Sequence, residues 1–321
     1  MAYSIETARA RAEMMAQVRR FFSERNVLEV ETPALGRAAA PDCHIDLFHT
    51  DYRPAGTTRS GDGERCFLQS SPELFMKRLL ANGFPDIYQT GKVFRNGECG
   101  RLHNPEFTML EWYRRNVDLY GCIDETVALL RELCRVTVVE KYSYRELFLK
   151  YAAIDPLNTG IGELESLAGN CGGGDRLSFD TVTDGLQYCM ATVVEPALPH
   201  NRLTVVYHFP CEQAVLSVID PEDERVARRF EVYACGMELA NGFEELGDPE
   251  ENRRRMKLEN DRRLCSGKRE IPVDERFFAA LRDADGLPPC SGVAVGLDRV
   301  LLCRLGLPAL GDVLGFDWDT R

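Results

Sequence analysis

Hydrophobic positions recur at helical spacing over Thr7 to Arg25, where Met14, Val18 and Phe21 form a stripe with Met15 and Phe22 beside it. That spacing predicts a packed helix. VLEVETP follows as a short predicted strand with Leu28 and Val30 on one side and Val27, Glu29 and Glu31 on the other, stopping at Pro33. Residues 34–65 are irregular and polar, and their AAAP and TTRSGDG segments read as surface loops. LQSSPELFMKRLL predicts a capped helix: Ser70 or Ser71 as N-cap, Pro72 in the first turn, and Leu74, Leu79 and Leu80 inward. Glu73 lies in that first turn, where a carboxylate complements the helix dipole.

Val93 to Arg114 has a different pattern: a strand, a polar loop with Gly, Arg, His and Asn, then a second extended run from Phe107 to Tyr113. An antiparallel pair with a functional connection is expected. In the second run Thr108, Leu110 and Trp112 share one face, and Phe107, Met109, Glu111 and Tyr113 the other. A carboxylate and a phenol beside an aromatic ring call for a polar partner on that face, since an unpaired buried carboxylate is costly. A salt-bridged surface strand would show the same pattern.

Beyond it, Asp124 to Val136 and Tyr144 to Lys150 read as helices, and residues 155–178 are Gly-rich and weakly patterned. CGGG at 171–174 lacks the Lys of a phosphate-binding loop and reads as a flexible connection. Asp180 to Val194 reads as a helix, LTVVYHFP as an apolar strand, and Asp220 with Pro221 as the start of a helix through Arg229. Phe230 to Leu246 predicts a hairpin reversing near Ala234 to Gly236, with Glu231 roughly opposite Glu238 and with Ala240 and Gly242 on the Glu238 face. Facing carboxylates repel unless a cation lies between them, and magnesium suits carboxylate oxygens; two solvated edge carboxylates are the alternative. Asp248 to Cys265 predicts a charged, mostly solvated helix. Asp274 to Asp283 predicts a short one with Phe277, Phe278 and Leu281 inward. The SGVAVGLDRVLLCRLGL segment predicts a strand running into a helix at Leu297. Arg299 in that helix's first turn opposes the dipole, so it is expected to reach a phosphate or to pair with a carboxylate.

With 321 residues and 44% hydrophobic content the chain can bury a large core. A net charge of -12 argues against a surface adapted to nucleic acid or anionic lipid. No signal-peptide core and no run of membrane-span length is present, so a cytoplasmic protein is expected. Twelve scattered Cys without a CxxC pair predict reduced thiols and no structural metal.

Taken in order, these pieces resemble the catalytic domain of class II aminoacyl-tRNA synthetases, most closely the lysyl branch. RFFSERNVLEVETP resembles the first motif, with Pro33 as its interface proline; FRNGECGRLHNPEFTMLEWY the second; GVAVGLDRVLL the third. LQSSPELFMKRLL and MELANGFEEL resemble lysyl-branch signatures. The first motif begins within about twenty residues of Met1, where lysyl-tRNA synthetases carry an anticodon-reading domain. That layout, with YHFP, VARRFEVYACGMELANGFEEL and EFTMLEWYR, is similar to the elongation factor P lysine ligase family.

The resemblance implies an α+β fold, an antiparallel sheet flanked by helices, as a single catalytic domain over 1–321 with no anticodon-binding domain. It implies a homodimer. It also implies activation of (R)-beta-lysine, or lysine, with ATP and Mg2+, and transfer to a lysine of elongation factor P, with no tRNA partner. Arg95 is expected to clamp the substrate carboxylate and α-phosphate, and Arg101, His103 and Asn104 to contact the nucleotide. Phe107 would stack on adenine, Arg299 would cover its other side or reach the γ-phosphate, and Gly296 would leave room for that approach. Glu231 and Glu238 would hold magnesium, and Asn241 would bond the substrate carboxylate. Glu111, Tyr113 and Glu245 are expected on the side-chain ammonium and Glu73 on the other amine. Ala294 stands where lysyl synthetases usually have Gly, adding a methyl to the pocket floor. One departure is Gly97, where the second motif usually has a Glu contacting adenine; Glu98 comes one place later and is expected to reach the same spot, with recognition of adenine by backbone groups as the alternative.

Two other readings stay open at this level: a lysine-charging enzyme acting on tRNA, and a non-catalytic amino-acid-binding paralogue. The net charge counts against the first, and the retained Arg95, Glu231, Glu238 and Arg299 against the second.

Overall fold

In the computed structural model, which describes residues 3–55, 63–169 and 178–320, the chain forms two compact units. One comprises Met1–Val117 with Glu245–Arg321, the other Asp118–Glu244. Helix α1 (Ile5–Ser23) opens the first, its N-terminus closed by Ser4 Oγ, which accepts from Thr7 N at 3.1 Å. Its stripe buries Met14, Val18, Phe21 and Phe22, and Phe22 stacks on Tyr88 at 4.4 Å. The strand expected next is only β1 (Leu28–Glu29), and its inward residue is Val27 while Leu28 stays exposed.

The stretch expected to be irregular instead contains β2 (Leu35–Gly36), β3 (His49–Tyr52) and β4 (Glu64–Leu68), ordered β2-β4-β3 in a small antiparallel sheet. Its short strands hide their period in the sequence. What fixes them is burial of Phe67 with Ala39, Leu47 and Ile271. TTRSGDG lies, except for its last glycine, outside the described residues. Helix α2 (Glu73–Ala81) turns Leu74, Met76, Lys77 and Leu80 inward, with Leu79 only half-buried. Strands β5 (Ile87–Phe94) and β6 (Glu106–Arg115) then form the expected antiparallel pair around the 95–105 loop.

In the second unit, helix α3 (Leu119–Cys134) begins earlier than expected because Asp118 caps it, accepting from Gly121 N at 2.8 Å. Strand β7 (Val139–Ser143) leads into α4 (Tyr144–Tyr151), which a Ser143–Glu146 capping box starts. The weakly patterned region holds a helix after all, α5 (Ile161–Ala168), because Leu164 and Ala168 are buried in one core with Leu186 and Cys189 of α6 (Val182–Cys189). The CGGG segment lies outside the described residues. Strand β8 (Leu203–Pro210) matches LTVVYHFP.

No helix starts at Asp220. Its Oδ1 accepts from Glu222 N, Asp223 does the same for Arg225 N, and these turns lead directly into β9 (Val226–Ala234), whose Phe230 and Val232 are fully buried. Strand β10 (Met237–Glu244) returns through Cys235 and Gly236, both left-handed (φ 53° and 70°), the geometry of a two-residue hairpin turn. The order in this unit is β10-β9-β8-β7.

Back in the first unit, Asp248 caps α7 (Pro249–Cys265), which is less solvated than its composition predicts: Asn252, Met256, Asn260 and Arg263 are buried. Helix α8 (Glu275–Asp283) buries Phe277, Phe278 and Leu281 as expected. Strand β11 (Cys290–Gly296) runs directly into α9 (Leu297–Leu305), and the strand order is β1-β5-β6-β11. The α+β character holds, but the strands are mixed in direction, since β1–β5 and β7–β8 are parallel. No described helix is long and apolar enough to cross a membrane.

Candidate active site

The register of β6 and β11 builds an acidic pocket in the first unit. Ala294 pairs with Glu111 and Gly292 with Tyr113, so small residues lie beside the carboxylate and the phenol. Tyr113 donates its hydroxyl to Glu111 Oε1 at 2.6 Å, and Ser71 Oγ donates to Glu111 Oε2 at 2.7 Å. The same Ser71 oxygen accepts from Glu73 N at 3.0 Å, tying the start of α2 to β6. Glu73 Oε1 and Glu245 Oε2 meet a common cation, Lys77 Nζ, at 2.6 and 2.5 Å. Lys77 is wholly buried. Burial, with Glu73 nearby, pushes Glu111 up to about 7; burial raises Glu245 to about 8 against the pull of Lys77. Glu73, Glu111, Tyr113 and Glu245, predicted as one group, are therefore brought together.

The 95–105 loop carries the predicted nucleotide contacts. The Arg95 guanidinium lies over the Phe107 ring at 5.1 Å, its NH1 is 3.8 Å from Glu98, and its Nε is buried without a hydrogen-bond partner. Gly97 has φ 84°, and a side chain there would meet no neighbour, so backbone conformation accounts for the glycine. Arg299 donates from Nε to Leu102 O at 3.2 Å, and its NH2 lies 2.8 Å from His103 Nε2. Burial and Arg299 hold His103 below its ordinary value, which keeps the ring a neutral acceptor. Asn104 is committed to the loop itself: its amide donates to Glu106 O and accepts from Trp318 N. Arg101 is exposed and donates to Pro308 O at 2.9 Å. Next to Arg299, Asp298 accepts from Arg11 NH1 at 2.6 Å and from Thr108 N at 2.7 Å, fixing α9 against β6.

In the second unit the hairpin register differs from the expected one. Glu238 pairs with Tyr233, and Glu231 pairs with Asn241, because a bulge falls between Glu238 and Ala240. The two carboxylates are thus diagonal neighbours on one face. Ala240 pairs with Val232 on the other face, and Asn241 joins the carboxylates. Arg229 NH2 lies 2.5 Å from Glu231 Oε1, and the Tyr233 hydroxyl donates to Glu231 Oε2. Asn241 Oδ1 is buried without a hydrogen-bond partner.

A family profile described as tRNA synthetases class II (D, K and N) matches residues 3–319. The chain belongs to this family. Among curated class II relatives, the elongation factor P–(R)-beta-lysine ligase of Proteus mirabilis is 44% identical over 98% of this chain and 95% of its own length. Proteins of the same name from Photorhabdus laumondii and Klebsiella pneumoniae are each 44% identical, covering 95% and 96% of this chain and 93% and 94% of their own.

Three residues of this class II site went unread in the sequence. Lys77 left a signal, since it falls at spacing three between Leu74 and Leu80 and four residues after Glu73. Ser71 shows in the sequence only as a candidate helix cap, with no sign of its bond to Glu111. Gly292 left none: a β-carbon there would lie 2.4 Å from both Glu245 Oε1 and the Tyr113 ring.

Proposed function

We propose that this chain is an elongation factor P–(R)-beta-lysine ligase. It activates (R)-beta-lysine, or lysine, with ATP and transfers the acyl group to a lysine side chain of elongation factor P. The observation that carries the reading is the pocket of Glu73, Glu111 and Glu245, three carboxylates, the last two buried, gathered in a class II synthetase fold. Such a pocket selects a ligand with ammonium groups. In the first step a substrate carboxylate oxygen attacks the α-phosphorus, the bond to the bridging oxygen breaks, and pyrophosphate leaves. In the second the acceptor amine attacks the acyl carbon, loses a proton, and AMP leaves.

Arg95 offers its planar fork to the carboxylate and α-phosphate, and its unpartnered Nε is a donor such an anion would satisfy. The Arg95 guanidinium covers one face of Phe107, so adenine takes the opposite face or the place of that guanidinium. Arg299 and neutral His103 meet phosphate oxygens, Gly296 leaves the approach to Arg299 open, and Arg101 and Asn104 act by holding the loop. Glu98 stays with Arg95. Glu111, Tyr113 and Glu245 take the side-chain ammonium and Glu73 the other amine, with Ala294 below them. Glu231, Glu238 and the open Asn241 Oδ1 share one strand face, a donor set that would fit magnesium if Arg229 or Tyr233 gave up its Glu231 oxygen to the ion. When bound, that ion supplies positive charge to a pyrophosphate leaving group. Asn241 Nδ2 remains for the substrate carboxylate.

Homodimerisation along the segment ending at Pro33 belongs to the proposal, and the exposed Leu28 and Leu35 flank that proline. Cytoplasmic location and independence from tRNA belong to it too. Pyrophosphate exchange into ATP with a panel of lysine isomers, followed by labelling of elongation factor P, tests it. Exchange fastest with (R)-beta-lysine and label on the protein are expected. Label on tRNA alone, or no exchange with any diamino acid, would overturn it.

A further inference from the structure

Lys77 stands apart from the roles assigned so far. It is a lysine with no exposed surface, in the middle of α2, and its ammonium sits between two carboxylates proposed as direct ligands. A fully buried ammonium is costly and persists only where paired. Its partners, however, outnumber it. Among the described residues of this pocket, Glu73, Glu111 and Glu245 face one ammonium, while Glu111 is held by the neutral donors Ser71 and Tyr113. With the carboxyls ionised, the pocket therefore lacks two positive charges. A diamino acid brings two ammonium groups.

We propose that Lys77 is a positioning and specificity residue: it holds Glu73 and Glu245 in place and fixes the pocket's unmet charge at two, matching a substrate with two ammonium groups. The inference rests on the diamino-acid reading of this site. The surroundings restrict what else could balance the charge. From β6 the pocket receives Glu111 and Tyr113, and from β11 the thiol of Cys290, which burial and Glu245 keep protonated. The Arg114 guanidinium pairs with Asp86, Arg115 gives its backbone N–H to Asp86 and its guanidinium to Phe84 O, and where α2 meets α8 Arg78 is paired with Asp274 at 3.1 Å. Burial and its carboxylate neighbours compete at Lys77, and the neighbours prevail, keeping the ammonium charged.

Steady-state pyrophosphate exchange in the intact protein separates charge counting from scaffolding. Glu245→Gln alone leaves Glu73 and Glu111 against Lys77, a demand for one positive charge. Adding Lys77→Met to that background restores the demand to two and removes a buried pair together, a change that folds tolerate far better than loss of one partner. The double variant should bind the diamino acid several-fold more tightly than Glu245→Gln, read as a lower KM, with the KM for ATP unchanged. Lys77→Met alone should raise the diamino-acid KM about tenfold or more. It should also move the acidic limb of kcat/KM to higher pH, because Glu245 loses the cation that pulls against its rise on burial. A double variant weaker than Glu245→Gln, or an unmoved limb in Lys77→Met, overturns the role of Lys77 while wild-type exchange leaves the underlying reading standing. Wild-type protein inert to every diamino acid overturns the reading and this inference together.

Discussion

The acidic pocket of the first unit treats buried acid differently from the second unit. On β9, Glu231 has its own guanidinium in Arg229 and a phenol in Tyr233, and nearby in that unit Arg228 serves Asp220 and Glu244. Even the more open Asp155 is held down to about 2 by Arg145. In the first unit Glu73, Glu111 and Glu245 are given a single lysine, and burial raises two of them towards neutrality. Carboxylates matched within the chain have their charge met before any ligand arrives. Glu111 and Glu245, left short of cations, are pushed towards the protonated form until a ligand brings charge.

The sharpest way to break that contrast is Glu111→Gln. Loss of this partner should cost the diamino acid about 3 to 5 kcal/mol in kcat/KM while sparing the KM for ATP, as exchange kinetics would show. The same variant tests the proton account. Glu111 lies near 7 against an ordinary 4.5, so the ligand-free folded chain keeps a proton there that the unfolded chain has lost. Its contribution to stability is complete below about pH 4.5 and disappears as pH rises to about 7, on the order of 3 kcal/mol. Denaturant melts from pH 5 to 8 should show that decline, flattened in Glu111→Gln; an identical slope would remove the premise.

Making the second unit resemble the first comes next. Arg229→Met strips Glu231 of its guanidinium and should destabilise the fold by about 3 kcal/mol without moving the diamino-acid preference, checked by urea unfolding beside the analogue panel. Gly292→Ala presses a methyl on Glu245 and Tyr113 and should cost about 1 to 3 kcal/mol, concentrated in the amino-acid KM. Ser71→Ala has the smallest expected effect, about 1 kcal/mol, from one hydrogen bond to Glu111.

Much of the second unit's contrast was illegible beforehand, whereas the first unit's pocket was half legible. Glu111 and Tyr113 showed themselves because strand alternation put polar groups on a face otherwise apolar. Lys77 did not, because a lysine in a helix is ordinarily read as solvated and only its place on the buried stripe says otherwise. The pairing of Glu231 with Asn241 instead of Glu238 depends on one bulge, and an extra unpaired residue leaves no periodic trace. The helix expected at Asp220 failed for a related reason: Asp followed by Pro serves equally as a cap and as a turn, and only the alternation from Val226 onward decides.

The first unit is interrupted in sequence, leaving at Val117 and resuming at Glu245. Glu245 consequently reaches Lys77 about half a chain length after it, and β11 meets β6 across a similar interval. During synthesis, α2 carries a lysine whose second counter-ion has not yet been made. The acidic pocket is a late assembly step with a long loop to close, so destabilising it should slow maturation more than it slows formation of α3, α4 and their neighbours.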